Sequence, residues 1–303
     1  MTMTIPATPD AAPDAVAGPR TTRRFTLGKY RSTGLLIGVG ALTVWAVAIL
    51  LAPYIAPFDP LAQTFDPLTG PSAQNWFGTD ELGRDVFSRV LYGSRISVVY
   101  GIMLVACSAA IGTVVGLAAG FFGGWVDEVL MRLVDLVFAF PVIILAMAIA
   151  ASLGANLRNS VIAGVIVSWP IYARTVRGLV VGLRESDFVL ASRLAGTSSL
   201  RSIRIDVMPS VAGPVLVLAT QEVGGAILLL AGLSFLGLGA QPPLAEWGSM
   251  IAAGANHLSS WWIAVFPGLA ILTVALAFNL IGDSLRDILD PRTKRLAEAR
   301  RAS

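Results

Sequence analysis

Residues 188–209 read Phe188-Val-Leu-Ala-Ser-Arg-Leu-Ala-Gly-Thr-Ser-Ser-Leu-Arg-Ser-Ile-Arg-Ile-Asp-Val-Met-Pro209, a basic, amphipathic connection between two apolar stretches of membrane length. Most connections in compact proteins are short turns. A long one with helical patterning, Arg193, Arg201 and Arg204, and a helix-stopping Gly196 predicts a docking element rather than a tether. Phe188, Ala191, Ser192 and Ala195 recur at three- and four-residue spacing, so a helix presents them as one face while Arg193 points elsewhere. The small side chains at Ala191 and Ser192 permit close approach, and Gly196 can adopt the left-handed turn that ends such a helix.

Outward from this segment, composition sets the class. Over 303 residues, 55% are hydrophobic and 14% charged, and the mean hydropathy is +0.73, which describes a polytopic membrane protein. Charge-free runs extend over 32–58, 96–126, 136–157, 159–173, 207–245 interrupted only by Glu222, and 247–282. A helix needs ~20 residues to cross hydrocarbon, so these predict six spans. The fourth run is short, but Arg174 and Arg177 follow it and can snorkel to the interface. The last is too long for one helix, and Asn256, His257, Ser259 and Ser260 divide it into a short piece and a final span.

Basic residues give the orientation, because positively charged loops resist translocation. Eighteen of the 22 Lys and Arg fall in the N-terminal segment, the loop after span two, the loop after span four and the C-terminal tail, against Arg84, Arg89, Arg95 and Arg158 on the other side. Both termini and the 182–209 loop are therefore expected in the cytoplasm. Residues 1–33 read as a disordered cytoplasmic tail, 34–96 as an anchor helix plus an extracytoplasmic segment, 97–286 as the transmembrane core and 287–303 as a cytoplasmic tail. No cleavage site follows the first apolar stretch, so it is expected to remain as an anchor.

Several chemistries lack their residues. His257 is the only histidine, Cys107 the only cysteine, and neither a G-x-x-x-x-G-K-[ST] phosphate loop nor a G-x-S-x-G elbow occurs. No catalytic residue, metal site or cofactor is expected, and the chain is not read as an enzyme. Cys107 reads as a small apolar filler within span two, and His257 as a solvated loop residue. Gly112, Gly116 and Gly120 place a small face on span two for close helix packing, while Pro141, Pro170, Pro214 and Pro267 bend later spans.

A second distinctive string, Asn75-Trp-Phe-Gly-Thr-Asp-Glu-Leu-Gly-Arg-Asp-Val-Phe-Ser-Arg-Val-Leu-Tyr-Gly-Ser-Arg-Ile-Ser97, lies between spans one and two. It predicts an interfacial helix with Asp80 and Glu81 in its first turn, an apolar stripe of Leu82, Val86 and Val90, and an Asp85–Arg89 pair. Such a helix braces span two, meets an extracytoplasmic partner, or does both.

The string from Gly78 to Ser97 resembles the signature of C-type permease subunits of peptide and nickel ABC importers, the oligopeptide/dipeptide permease family. Phe122–Asp135, Phe140-Pro141, Leu233–Pro243 and Phe278–Pro291 resemble it too, in order and spacing. The resemblance implies a type I importer core of five helices preceded by one added anchor. Its partners would be a homologous B-type permease in a heterodimer, two cytoplasmic ATPases that perform the ATP hydrolysis, and an extracytoplasmic solute-binding protein. The implied cargo is di- or oligopeptides, with nickel, glutathione or another small solute as alternatives.

Within that family the loop between spans four and five resembles an E-A-A-x-x-x-G motif that docks on the ATPase. Leu190, Ala191, Ser192 and Gly196 occupy the matching positions here, so leucine replaces the acidic residue. Phe188, Ala195 and Pro209 complete the expected coupling set, and Gly78, Thr79, Asp80, Gly83, Arg84 and Asp85 form the extracytoplasmic motif. Relatives commonly carry a glutamate before Ser-Phe-Leu-Gly-Leu-Gly, where Leu229 and Leu230 stand. Glu222, about two turns earlier, is the candidate pathway or subunit-contact residue. It is also the one feature that suits a proton-coupled secondary transporter, which would need an intramembrane carboxylate.

Overall fold

The computed structural model describes residues 33–289. The expected N-terminal tail, apart from Thr33, and the C-terminal tail beyond Leu289 lie outside the described residues. Among the described residues the chain is all-helical, with α1 (Thr33–Ile55), α2 (Val86–Phe122), α3 (Gly124–Phe138), α4 (Val142–Leu153) and α5 (Leu157–Leu183), then α6 (Asp187–Leu194), α7 (Ser199–Ser202), α8 (Met208–Phe235), α9 (Trp247–Ala255) and α10 (Trp262–Leu289).

The α2–α5 pair is the spine of the bundle. At Gly112, Gly116 and Gly120 a side chain would collide with Trp169 and Tyr172, with Ala173 and Val176, and with Val180. The glycines thus act as a contact face, letting the two backbones approach closely. Two apolar clusters complete the packing. The larger joins Leu104, Ile227, Leu230, Ile271 and Val274 from α2, α8 and α10. The smaller gathers Leu117, Phe121, Val176, Val180 and Val211 at the end of the bundle nearest α6.

Helix α1 is peripheral. It touches α10 through Gly38, which faces the Ala277 carbonyl, and through Trp45, whose Nε1 donates to Thr273 Oγ1 at 3.1 Å. Val44 and Leu50 are 68% and 72% exposed. An apolar helix with so little protein around it has lipid as its natural solvent.

Six spans are expected from the charge-free runs, whereas four helices are long and apolar enough to cross a membrane alone: α1, α2, the continuous run through α7 and α8, and α10. A fifth arises if α3 and α4 form one span, for they meet at 91°. Proline at 141 caps α4 and terminates what the sequence presents as one straight run. Helix α5 has 27 residues but carries Arg158, Arg174 and Arg177, which dilute its apolar character. The last run divides as expected, α9 giving way to a short turn at Leu258–Ser260 and then α10.

The segment before α2 departs from expectation. The helix starts at Val86, so Asp80 and Glu81 precede it instead of occupying its first turn, and Asp85 caps it, its carboxylate accepting from the Ser88 amide and hydroxyl at 2.8 and 2.7 Å. Residues 79–85 form a tight turn closed by a bridge between Thr79 and Asp85. The predicted Asp85–Arg89 side-chain pair is replaced by Arg89 Nε on Asp80 at 3.4 Å. Val86 and Val90 are buried as predicted, but Leu82 is exposed. Cys107 differs as well, standing exposed on α2 rather than filling a gap.

Candidate functional site

Three places concentrate the residues singled out by sequence. The first is α6. Its one inward anchor is Val189, fully buried among Leu117, Phe121, Val176, Val180, Val207 and Val211. One turn on, the Arg193 guanidinium lies 4.5 Å over the Phe121 ring, an arrangement worth about 0.5–1 kcal/mol at an exposed site. Arg193 thus points back at the bundle, away from the predicted face. On that face Phe188, Ala191 and Ala195 are exposed and Ser192 is half-buried. Leu190 and Leu194, at 44% and 90% exposure, widen it.

The helix ends as its sequence predicts. Gly196 has φ +82°, the Thr197 amide donates to the Ser192 carbonyl at 3.2 Å, and the Gly196 amide to the Arg193 carbonyl at 2.9 Å. These two bonds constitute a Schellman cap, which satisfies carbonyls a helix end otherwise leaves orphaned. The chain then runs through α7 and a π-turn at Ile203–Val207 directly into α8. Pro209 sits in the first turn of α8, directly after the π-turn.

The second place is the motif at residues 78–85. Asp80 Oδ1 accepts from the amides of Leu82 and Arg84, and its Oδ2 pairs with Arg84 Nε at 2.6 Å. Arg84 also reaches Glu81, and Arg89 reaches the Pro60 carbonyl. Asn75 donates to Asp85 at 2.9 Å. Thr79, Asp80, Arg84 and Asp85 are all buried. Gly78 and Gly83 both hold positive φ. A side chain at Gly83 would strike the Phe65 carbonyl, so glycine is required there sterically as well as conformationally. The motif's polar groups therefore serve one another.

The third place is a cavity of about 300 Å³ between α2, α4, α5 and α8, whose polar lining is Ser108, Ser168, Tyr172 and Glu222. Of the candidate residues only Glu222 is here. Sequence reasoning missed Ser108 and Tyr172, although a hydroxyl within an apolar run is itself a signal. It also missed Glu246, buried at the start of α9, where it accepts from the Gly248 and Ser249 amides and from Ser97 Oγ. Arg174 and Arg177, read as snorkelling, pin α3 to α5 as well: Arg177 grips Asp127 through two bonds of 2.6 and 2.7 Å, and Arg174 meets Asp135 at 2.5 Å. His257 lies in the loop before α10, remote in sequence from any acidic cluster. Among the described residues no group of His, Cys, Asp and Glu is arranged to hold a metal ion.

Comparison with known proteins places this architecture. Residues 112–295 match the family described as binding-protein-dependent transport system inner membrane component. The dipeptide transport system permease protein DppC of Alkalihalophilus pseudofirmus is 43% identical over 262 residues, covering 86% of each chain. The probable D,D-dipeptide transport system permease protein DdpC of Escherichia coli K12 is 43% identical over 256 residues, 82% of this chain and 86% of that one. The glutathione transport system permease protein GsiD of E. coli O6:K15:H31 is 44% identical over 294 residues, 95% of both. With a bundle of membrane-length helices, an exposed helical appendage and this extent of identity, the chain belongs to the family of binding-protein-dependent transport system inner membrane components, and it is a permease subunit, not an enzyme.

Proposed function

We propose that the chain is the C-type half of a heterodimeric permease in an ATP-driven importer for di- or oligopeptides. Its six spans are α1, α2, the bent α3–α4 pair, α5, α8 and α10, with both termini and α6 in the cytoplasm. A homologous B-type permease completes the pathway, two cytoplasmic ATPases bind beneath, and an extracytoplasmic binding protein delivers the solute. The dipeptide named for two relatives supports the cargo class. Glutathione, named for a relative matched over 95% of this chain, is the second reading.

The observation that carries the coupling role is the seat of α6. Its exposed face is apolar at Phe188, Leu190 and Leu194, a surface that water does not stabilise and a partner groove would cover. Behind that face, Val189 packs against residues of α2, α5 and the start of α8 at once. Closure of the ATPases on ATP displaces α6, and the shared cluster passes the displacement to three helices, as rigid-body alternation requires. Leu190 replaces an acidic docking residue, so this α6 engages by apolar contact at that position. Phe188, Ala191, Ser192, Ala195 and Gly196 shape the docking face and its end, and Pro209 starts the helix that receives the motion. At the other end, Gly78, Thr79, Asp80, Gly83, Arg84 and Asp85 build the rigid mount under the binding protein.

The test is reconstitution of the complete complex in proteoliposomes with labelled Ala-Ala or glutathione. Uptake is expected only with internal-facing ATPases supplied with ATP and with the binding protein outside, and vanadate should abolish it. Uptake that survives vanadate and collapses with an uncoupler contradicts this reading and indicates a proton-coupled secondary transporter.

A further inference from the structure

The cavity between α2, α4, α5 and α8 is chemically one-sided. Ser108 is fully buried and Tyr172 is 1% exposed, and neither Ser108 Oγ nor the Tyr172 hydroxyl has a hydrogen-bond partner among the described residues. Both line the cavity with Glu222, which itself forms no hydrogen bond or ion pair there. An unpaired buried hydroxyl is destabilising, and two in one cavity beside a carboxylate call for a polar partner. No Lys, Arg or His contributes to the lining.

Depth is shared as well. Tyr172 is the sixteenth of the 27 residues of α5, Glu222 lies mid-way along α8, and Ser108 is two-thirds along α2. At 1.5 Å per residue, all three stand roughly 16–21 Å from the helix ends nearest α6, near the middle of a ~30 Å hydrocarbon layer. Val142, Ile143 and Leu228 line the cavity and are exposed in the isolated chain. A carboxylate facing lipid is costly, so this side faces the pathway shared with the second permease.

Resting on the importer reading, we infer that this cavity is the pathway subsite for a primary ammonium of the transported solute, held by Glu222, the Tyr172 hydroxyl and Ser108 Oγ. An ammonium offers three donors and a positive charge; these three side chains offer oxygen acceptors and one negative charge, and Ser168 adds a further hydroxyl to the lining. A carboxylate or phosphate would meet Glu222 with no counter-charge. A transition metal would find neither imidazole nor thiolate. Leu104, Val105, Ala226 and Leu229 supply the apolar remainder of the lining, and the volume, at the low end for ligand pockets, fits the first residue of a small peptide. The carboxylate acts while the solute crosses, after release from the binding protein.

The experiment compares wild type, Glu222→Gln, Glu222→Asp and Tyr172→Phe in the reconstituted complex, with rates normalised to assembled transporter. The probes are Ala-Ala and propionyl-Ala, which lacks the amine. For Glu222→Gln the maximal Ala-Ala rate should fall at least tenfold while the binding-protein concentration giving half-maximal rate stays within twofold. Tyr172→Phe should lose a few-fold, and Glu222→Asp should recover part of the loss. The preference of wild type for Ala-Ala over propionyl-Ala should shrink at least tenfold in Glu222→Gln. Independently, p-benzoylphenylalanine at Leu229 should crosslink labelled Ala-Ala during turnover, and adding Glu222→Gln should remove that crosslink. Wild-type-like Ala-Ala uptake by Glu222→Gln, an equal loss on both probes, or turnover with no crosslink at Leu229 overturns the amine site while leaving the importer reading intact. Absence of wild-type uptake of Ala-Ala and of glutathione alike overturns the importer reading and the amine site with it.

Discussion

The two motif-rich ends of this permease are built on opposite principles. In the 75–89 turn, Asn75, Thr79, Asp80, Arg84, Asp85 and Arg89 are buried and hydrogen-bonded within the turn and its flanks: Asp80 alone serves two backbone amides and two arginines. In α6, by contrast, apolar side chains are exposed and a single valine with one stacked arginine holds the helix to the bundle. A string of charges that looks like a recognition surface is mostly an internal brace. A helix of leucines, alanines and serines that looks unremarkable carries the unpartnered face. Chemical conspicuousness and functional contact are separate properties, and burial distinguishes them.

The largest effect expected from this contrast is at the brace. Asp80→Ala leaves Arg84 and Arg89 buried without their shared carboxylate, and breaking a buried pair costs ~3–5 kcal/mol. The variant should be nearly absent from membranes or melt far below wild type by fluorescence-detected size-exclusion chromatography. A normal yield and melting profile would show that the motif is no brace and would return it to partner contact. A smaller effect is expected at the seat of α6. Val189→Ala removes two methyl-sized groups from the cluster, about 0.8 kcal/mol each, so ~1–2 kcal/mol is concentrated in the local packing of α6. Hydrogen exchange in 186–196 should rise while the rest of the bundle is unchanged. Uniformly raised exchange would mean that α6 is an integral part of the core rather than a lever resting on it.

Much of this organisation was legible in sequence because it depends on local rules. Apolar run length located α1, α2, α8 and α10, glycines every fourth residue marked the face on which α2 packs closely against another helix, and Gly196 ended α6 where the left-handed turn was expected. The 91° break between α3 and α4 is hidden in sequence because α3 carries Asp127, Glu128, Arg132 and Asp135, a pattern that reads as a loop. Those charges are accommodated by tertiary partners, Arg177 and Arg174 among them. Asp80 looked like a first-turn acid, and only the turn made possible by Gly83 moved the cap to Asp85. The meeting of Ser108, Tyr172 and Glu222 was invisible for a simpler reason: three distant helices bring them together, and no periodicity within one helix encodes that encounter.

The central claim is that α6 transmits ATPase closure to the transmembrane helices, and Ala191→Trp in the fully assembled transporter tests it most directly. The measured quantity is ATP hydrolysis stimulated by solute-loaded binding protein, read beside membrane insertion, pairing with the second permease and co-purification of the ATPases. Insertion and pairing should be normal, ATPase co-purification weakened and the stimulation lost, with Gly196→Val behaving alike. Full stimulated hydrolysis and full solute uptake by both variants would contradict it.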